Sequence, residues 1–141
     1  MSWRRKDSKL DLLRDTALFA GLPRRVLVGL ERLLDPVDVA PRTVLAEQGH
    51  LAREFLVVVE GTADVERDGL HVGEVGAGEI LGELAFFGDH RRTATVRART
   101  PMRVLVGNPR SFRALLALPI VAARIRAAAL ARLQSPAQAA H

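Results

Sequence analysis

The densest run of residues able to do chemistry lies between Gly82 and Val96, in the order GELAFFGDHRRTATV. Gly82, with Gly78 just before it, permits a positive φ or a close approach of backbone to a ligand. Leu84-Ala85-Phe86-Phe87 fits one helical turn closed by Gly88, and the first amides of such a turn are unpaired and point outward. A helix start of this kind attracts an anion, and an arginine brought alongside by the returning chain binds a phosphate through a two-pronged fork. Arg92 is placed for that. Glu83, at the mouth of the same turn, would repel a phosphate, so its carboxylate needs another partner, and the hydroxyls of a ribose suit it. Phe86 and Phe87 read as core. Val72 and Leu81 either pack an interior or touch a base.

These residues need a frame. Over residues 8–34, Leu10, Leu13, Ala17 and Leu18, then Val26, Leu27, Leu30, Leu33 and Leu34, recur at spacings of three and four, which predicts two short helices separated at Gly21-Leu22-Pro23, with Pro23 in the first turn of the second. From residue 37 the rhythm changes. Val37–Val39, Thr43–Leu45, Glu54–Glu60, Thr62–Val65 and His71-Val72 are short β-branched runs divided by Gly, Pro and Asp, the pattern of a compact antiparallel barrel or roll. The segment from Gly76 to Ala98 breaks that rhythm, and strands at Thr93–Arg99 and Met102–Gly107 follow. Asn108 offers an N-cap and Pro109 a first-turn proline for a helix carrying Phe112, Leu115, Leu116 and Leu118. Pro119 restarts it as a last helix over about 120–134, with Val121, Ile125, Ala129 and Leu133 on one stripe. Residues 135–141 read as a disordered tail.

GELAFFGDHRRTATV resembles the phosphate-binding cassette of cyclic-nucleotide-binding domains, the cAMP- or cGMP-binding β-roll of the catabolite activator protein, protein kinase A regulatory subunits and cyclic-nucleotide-gated channels. That pattern runs Gly-Glu-Leu-Ala, a short variable turn, then Arg, a small residue, Ala, Thr and Val. The flanks are similar too: ALFAGLPRRVLVGLERLL to the family's helical lead-in, VLAEQG and EFLVVVEGTADV to its early strands, and VLVGNPRSFRALLALP to its last strand and following helix. The resemblance implies a mainly β fold: an antiparallel eight-stranded β-roll or jelly roll over about 37–107, with N-terminal helices, a short cassette helix and two C-terminal helices. It implies cAMP or cGMP as ligand, no other cofactor and no catalysis. Arg92 would pair with the cyclic phosphate, Glu83 would accept from the ribose 2′-OH, the amides of Leu84 and Ala85 would complete the cradle, and Gly82 would permit the approach. Thr93 holds a position that is small in the family, and its hydroxyl can also reach the amino group of a syn guanine, so both nucleotides fit. Arg91 departs from the family pattern, where proline often stands. The family's last helix folds over the base; here Ile125, Leu130 or Leu133 would be the cap, because no aromatic residue follows Phe112.

The chain of 141 residues is one domain's worth. Residues 1–15 read as a helical lead-in, 16–134 as the domain. With no cysteine, disulfides and thiolate metal sites are excluded. His50, His71, His90 and His141 have no metal-ligand spacing. Met1 is followed by charged residues without the apolar core of a signal peptide, and no run approaches a membrane span, so a cytoplasmic location is expected. Charge is unevenly spread: residues 36–90 hold three basic and eleven acidic groups, residues 91–141 ten arginines and no acid. That basic end could meet an anionic partner, yet there is no helix-turn-helix after residue 134, and 4% aromatics supply no base-stacking platform, so DNA is not expected. A homodimer or an effector protein engaged through the C-terminal helices is the expected macromolecular partner. Met1 and the tail read as a complete small protein, with two alternatives kept open: a nucleotide-independent interaction module, or the regulatory fragment of a transcription factor, kinase or channel.

Overall fold

The computed structural model describes residues 8–82 and 91–134, with side chains as far as Ala131. The Ser8 hydroxyl accepts from the Asp11 amide at 3.1 Å and so caps the first helix, α1 (Lys9–Asp15). Thr16 turns extended and its hydroxyl donates back to Leu12 O at 2.6 Å, which ends α1 one residue before a 3-10 turn at Ala17–Phe19. Gly21 at φ +78° redirects the chain, and Pro23 stands as the N-cap of α2 (Arg24–Glu31), one position earlier than the spacing predicts. The expected pair of helices is thus two helices with a 3-10 turn between them, because the Thr16 side chain competes for the backbone where apolar periodicity alone runs on.

Eight antiparallel strands follow: β1 (Asp35–Val39), β2 (Val44–Ala46), β3 (Phe55–Glu60), β4 (Ala63–Arg67), β5 (Leu70–Val75), β6 (Ile80–Leu81), β7 (Thr95–Ala98) and β8 (Met102–Gly107). They form two four-stranded sheets, β1-β8-β3-β6 and β2-β7-β4-β5, the expected β-roll. β6 lies inside the stretch that reads as interrupted. Two residues between Gly78 and Gly82 are too short for a period, and only the pairing of Leu81 with Leu56 and of Ile80 with Val57 defines the strand.

β3 is the spine. Phe55 and Val57 face the helices, where they join Leu13, Phe19, Leu34 and Leu105, while Leu56 and Val58 face the roll interior with Val65, Leu81, Val96 and Val104. A strand covered on both faces loses the hydrophobic-polar alternation, which is why Phe55-Leu56-Val57-Val58-Val59 is continuously apolar. Each such side chain fully removed from water contributes about 1.5–3 kcal/mol. The helical layer is completed by α3 (Pro109–Leu116), capped by Asn108 Oδ1 accepting from Ser111 N at 2.8 Å, and α4 (Pro119–Gln134). Phe112 on α3 meets Phe55 edge to face at 5.2 Å between centroids, a favoured aromatic geometry. Among the described residues no single helix is long and apolar enough to cross a membrane; α3 and α4 pass that test only together and are bent by 111° at their junction.

Candidate functional site

Burial alternates from Arg91 to Ala98, although the strand β7 begins only at Thr95. Ala94, Val96 and Ala98 are buried in the roll interior, Thr93 and Arg97 are exposed, and the same alternation carried back puts Arg92 inside and Arg91 outside. Arg92 is only 8% exposed. Its backbone is held on both sides by the loop before β3: Gly49 N donates to Arg92 O and Arg92 N to His50 O, each at 2.9 Å. Its Nη2 donates to Glu54 O at 2.6 Å. Its Nη1 has neither a hydrogen-bond partner nor solvent among the described residues.

Gly82 makes that position available. At φ +90° it occupies the backbone region that favours glycine, and a Cβ built on it would overlap Nη1 and stand 3.2 Å from Arg92 Cζ and from Glu54 O. The guanidinium therefore lies against bare backbone at the end of β6. Burial pushes the Arg92 pKa down, opposed by the carboxylate of Glu54; guanidinium is so weak an acid that the cation persists. A buried cationic donor without an acceptor costs upward of about 1–3 kcal/mol, a cost that an incoming anion removes.

Space around Arg92 is divided. The inner cavity, where it meets Ala46, Leu81, Gly82, Thr93 and Val96, has a volume of about 10 Å³, room for about one water. Two outer clefts also reach Arg92, one of about 410 Å³ bounded by Val44, Glu47, Leu51 and Arg53, and one of about 320 Å³ bounded by Gln48, Asp68 and Arg91.

Of the site residues read from the sequence, the structure gathers Leu81, Gly82, Arg92 and Thr93 around one cavity. Leu81, 1% exposed, is an interior packing residue at its wall. Val72 is half-buried on β5, packed against the roll interior, and is not among the residues lining that cavity. Glu83, Leu84 and Ala85, with the expected turn at 84–87, lie outside the described residues. Of the base-capping candidates, Ile125 is fully buried in the helical layer and Leu130 is 56% exposed on α4; the Leu133 side chain lies outside the described set. Sequence reasoning missed Glu54 and the loop Gln48-Gly49-His50, which act through backbone carbonyls and amides that no residue type advertises. A glycine following a strand, Gly49 at φ +84°, was the one signal.

A second cluster lies elsewhere. Asp64, His71 and Glu74 bring their ligand atoms within 4.8 Å of one another on the outer face of the second sheet. Arg99 already occupies it, donating to Asp64 Oδ1 and to Glu74 Oε1, so the carboxylates are committed to a guanidinium.

The sequence model of the cyclic nucleotide-binding domain matches residues 36–118, more than half of the chain. A cyclic nucleotide-gated potassium channel of Rhizobium etli is 32% identical over 126 residues, 89% of this chain and 35% of the channel. A solved cAMP-binding acyltransferase from Mycobacterium smegmatis, as a point mutant, superposes with a TM-score of 0.79 at 30% identity, covering 89% of this chain and 41% of that one. The regulatory subunit of a cAMP-independent protein kinase A from Trypanosoma brucei gives 0.77 at 25% identity, over 94% and 47%. The chain thus spans about a third of the channel and less than half of either solved chain. An eight-stranded roll, a buried arginine facing a bare glycine at its mouth, and a matching pattern across the whole roll establish that the chain belongs to the cyclic nucleotide-binding domain family.

Proposed function

We propose that this domain is a sensor of cAMP or cGMP whose cyclic phosphate is received by Arg92. The single observation that supports it is the buried Nη1 of Arg92, a cationic donor without an acceptor among the described residues, seated against a glycine whose missing side chain leaves room for it. In this reading Glu83 accepts from the ribose 2′-OH, the amides of Leu84 and Ala85 complete the phosphate cradle, and Thr93, exposed at the rim, serves either purine. Leu81, at the wall of the inner cavity, gives the apolar side toward the base. Charge-assisted hydrogen bonds of this kind are worth about 1.5–3 kcal/mol each, so the phosphate contacts dominate affinity.

The domain itself catalyses nothing and requires no cofactor besides the nucleotide. Its output is a displacement of α4 relative to the roll, driven by the difference in ligand affinity between the two arrangements. Arg124 on α4 donates to Leu18 O at 3.0 Å in the 3-10 turn, so motion of α4 is coupled to the N-terminal helices. The recipient is an effector protein or a second copy engaged through the C-terminal helices, in the cytoplasm, and not DNA. The chain covers 35% of the channel and 41% of the acyltransferase that it resembles, and a regulatory role within a longer protein is the corresponding reading here.

A nucleotide-independent module is the second reading, favoured by the inner cavity of about 10 Å³. Calorimetric titration with cAMP and with cGMP separates the two. Binding of either nucleotide below millimolar concentration, lost in Arg92→Ala, supports the sensor; no heat from either at millimolar concentration leaves the second reading standing.

A further inference from the structure

Arg92 is held by a loop, and that loop is itself held from outside. Gly49 and His50 supply the two backbone bonds to Arg92, Gly49 O also accepts from Arg91 Nη1 at 2.8 Å, and Leu51 bridges to Arg91. The loop carries few apolar anchors of its own: Glu47, Gly49, His50 and Leu51 are all exposed. Of the loop's own side chains, that of Gln48 is the one that hydrogen-bonds to another element among the described residues. Gln48 Nε2 donates to Asp68 Oδ1 at 2.8 Å while Asp68 N donates to Gln48 Oε1 at 2.9 Å, and Gln48 N donates to Thr95 Oγ1 at 3.0 Å.

Asp68 is a stiff post. It is the first of the two residues linking β4 to β5, with φ +54° followed by Gly69 at +81°, the tight hairpin turn whose twist matches the strands it joins. In that turn the Asp68 amide lies outside the ladder, since the flanking pair is Arg67 with Leu70, so it is free to donate to a side chain. A carboxamide offers one donor and one acceptor side by side, which is what this amide and carboxylate require.

We infer that Gln48 is a positioning residue for the phosphate-receiving Arg92: the two-bond pair it forms with Asp68 locks the 48–50 loop to the β4–β5 turn and thereby fixes the backbone from which the guanidinium is presented. The inference deepens the proposed function and rests on it only for its ligand readout. It assigns to the hairpin tip, remote from the roll interior, a part in nucleotide affinity.

Two measurements test it. Calorimetry with cAMP should show Gln48→Ala weakening binding roughly three- to tenfold, as loss of two exposed hydrogen bonds would. Gln48→Glu should weaken it as well, because two carboxylates then face each other, and the pair Gln48→Glu with Asp68→Asn should recover wild-type affinity by restoring donor and acceptor in exchanged places. In an Arg92→Lys background, where no fork needs aiming, Gln48→Ala should change affinity by less than about twofold; additive losses would show a general structural role instead. Amide hydrogen exchange without ligand should be at least about fivefold faster at Gly49 and Arg92 in Gln48→Ala, with Val57 and Leu105 unchanged, reporting local opening alone. Unchanged exchange at Gly49 and Arg92 overturns the relay whatever the nucleotide does. If the wild type binds neither nucleotide, the sensor reading falls and the exchange rates decide the relay by themselves.

Discussion

The guanidinium of Arg92 lies directly against the Cα of Gly82, with Nη1 filling the space a side chain would need. Alanine at 82 would have to adopt φ +90° and displace the arginine, a combination expected to cost about 1–3 kcal/mol in backbone strain alone. Gly82→Ala should lower the unfolding midpoint in denaturant and weaken cAMP binding at least about tenfold. In an Arg92→Ala background the steric part of the penalty should vanish while the strain remains, and comparing the two chemical denaturation curves measures that difference.

Arg92 is poorly compensated in the roll interior, with Nη2 bonded to Glu54 O but Nη1 without an acceptor among the described residues, so stability and binding should oppose each other there. Arg92→Met keeps the stem and removes the orphaned donor, and replacing a poorly compensated buried charge by an apolar group of similar volume is neutral or stabilising. Scanning calorimetry should show a midpoint unchanged or raised by about 2–4 °C per kcal/mol gained. Titration of the same variant should show nucleotide affinity down at least about tenfold. A lowered midpoint would mean that the bond from Nη2 to Glu54 O, or a partner of Nη1 in solution, outweighs the cost of the buried charge.

Gly61, at φ +96°, turns the chain between β3 and β4 under the β7–β8 connection, and a Cβ there would overlap the carbonyl oxygen of Pro101 and come within 2.7 Å of Met102 Cγ. Backbone cannot yield as a side chain can. Gly61→Ala is expected to destabilise by about 2 kcal/mol or more, read as a fall in denaturant midpoint at unchanged slope.

Acid should weaken the outer face of the second sheet. The hydrogen bond from Arg99 holds the Asp64 carboxyl below its ordinary 3.8, with the charges of Arg99 and His71 adding to it and partial burial opposing. Because the folded value is depressed, the stabilisation is complete above the unfolded value and disappears as pH falls through the folded one. The pair is solvent-screened, so the effect is small. Urea melts between pH 6 and 2.5 should show wild type losing its advantage over Asp64→Asn toward the acid end; a constant difference across that range would remove Asp64 from the account.

What could be read beforehand depended on whether side chains carried the information. The roll was legible because Val37–Val39, Glu54–Glu60 and Met102–Gly107 advertise themselves by composition, and the cap at Asn108-Pro109 by residue type. Arg92 was legible through its place before Thr-Ala-Thr-Val, and alternation from Ala94 and Val96 explains why it, and not Arg91, turns inward. β6 was not legible, being two residues long, nor was the 3-10 turn at Ala17–Phe19, where a threonine hydroxyl outweighed a continuing apolar rhythm. Glu54 was invisible for another reason: its carbonyl, not its carboxylate, meets Arg92, and every residue has a carbonyl.

That carbonyl has a neighbour. The residue after Glu54 is Phe55, whose ring is wedged against Phe112 beneath the helices, so a single peptide unit is at once the acceptor for the inward-turned guanidinium and the anchor of the aromatic pair. Drawing the arginine off its acceptor would therefore act on the peptide unit that also carries the aromatic pair of the opposite layer.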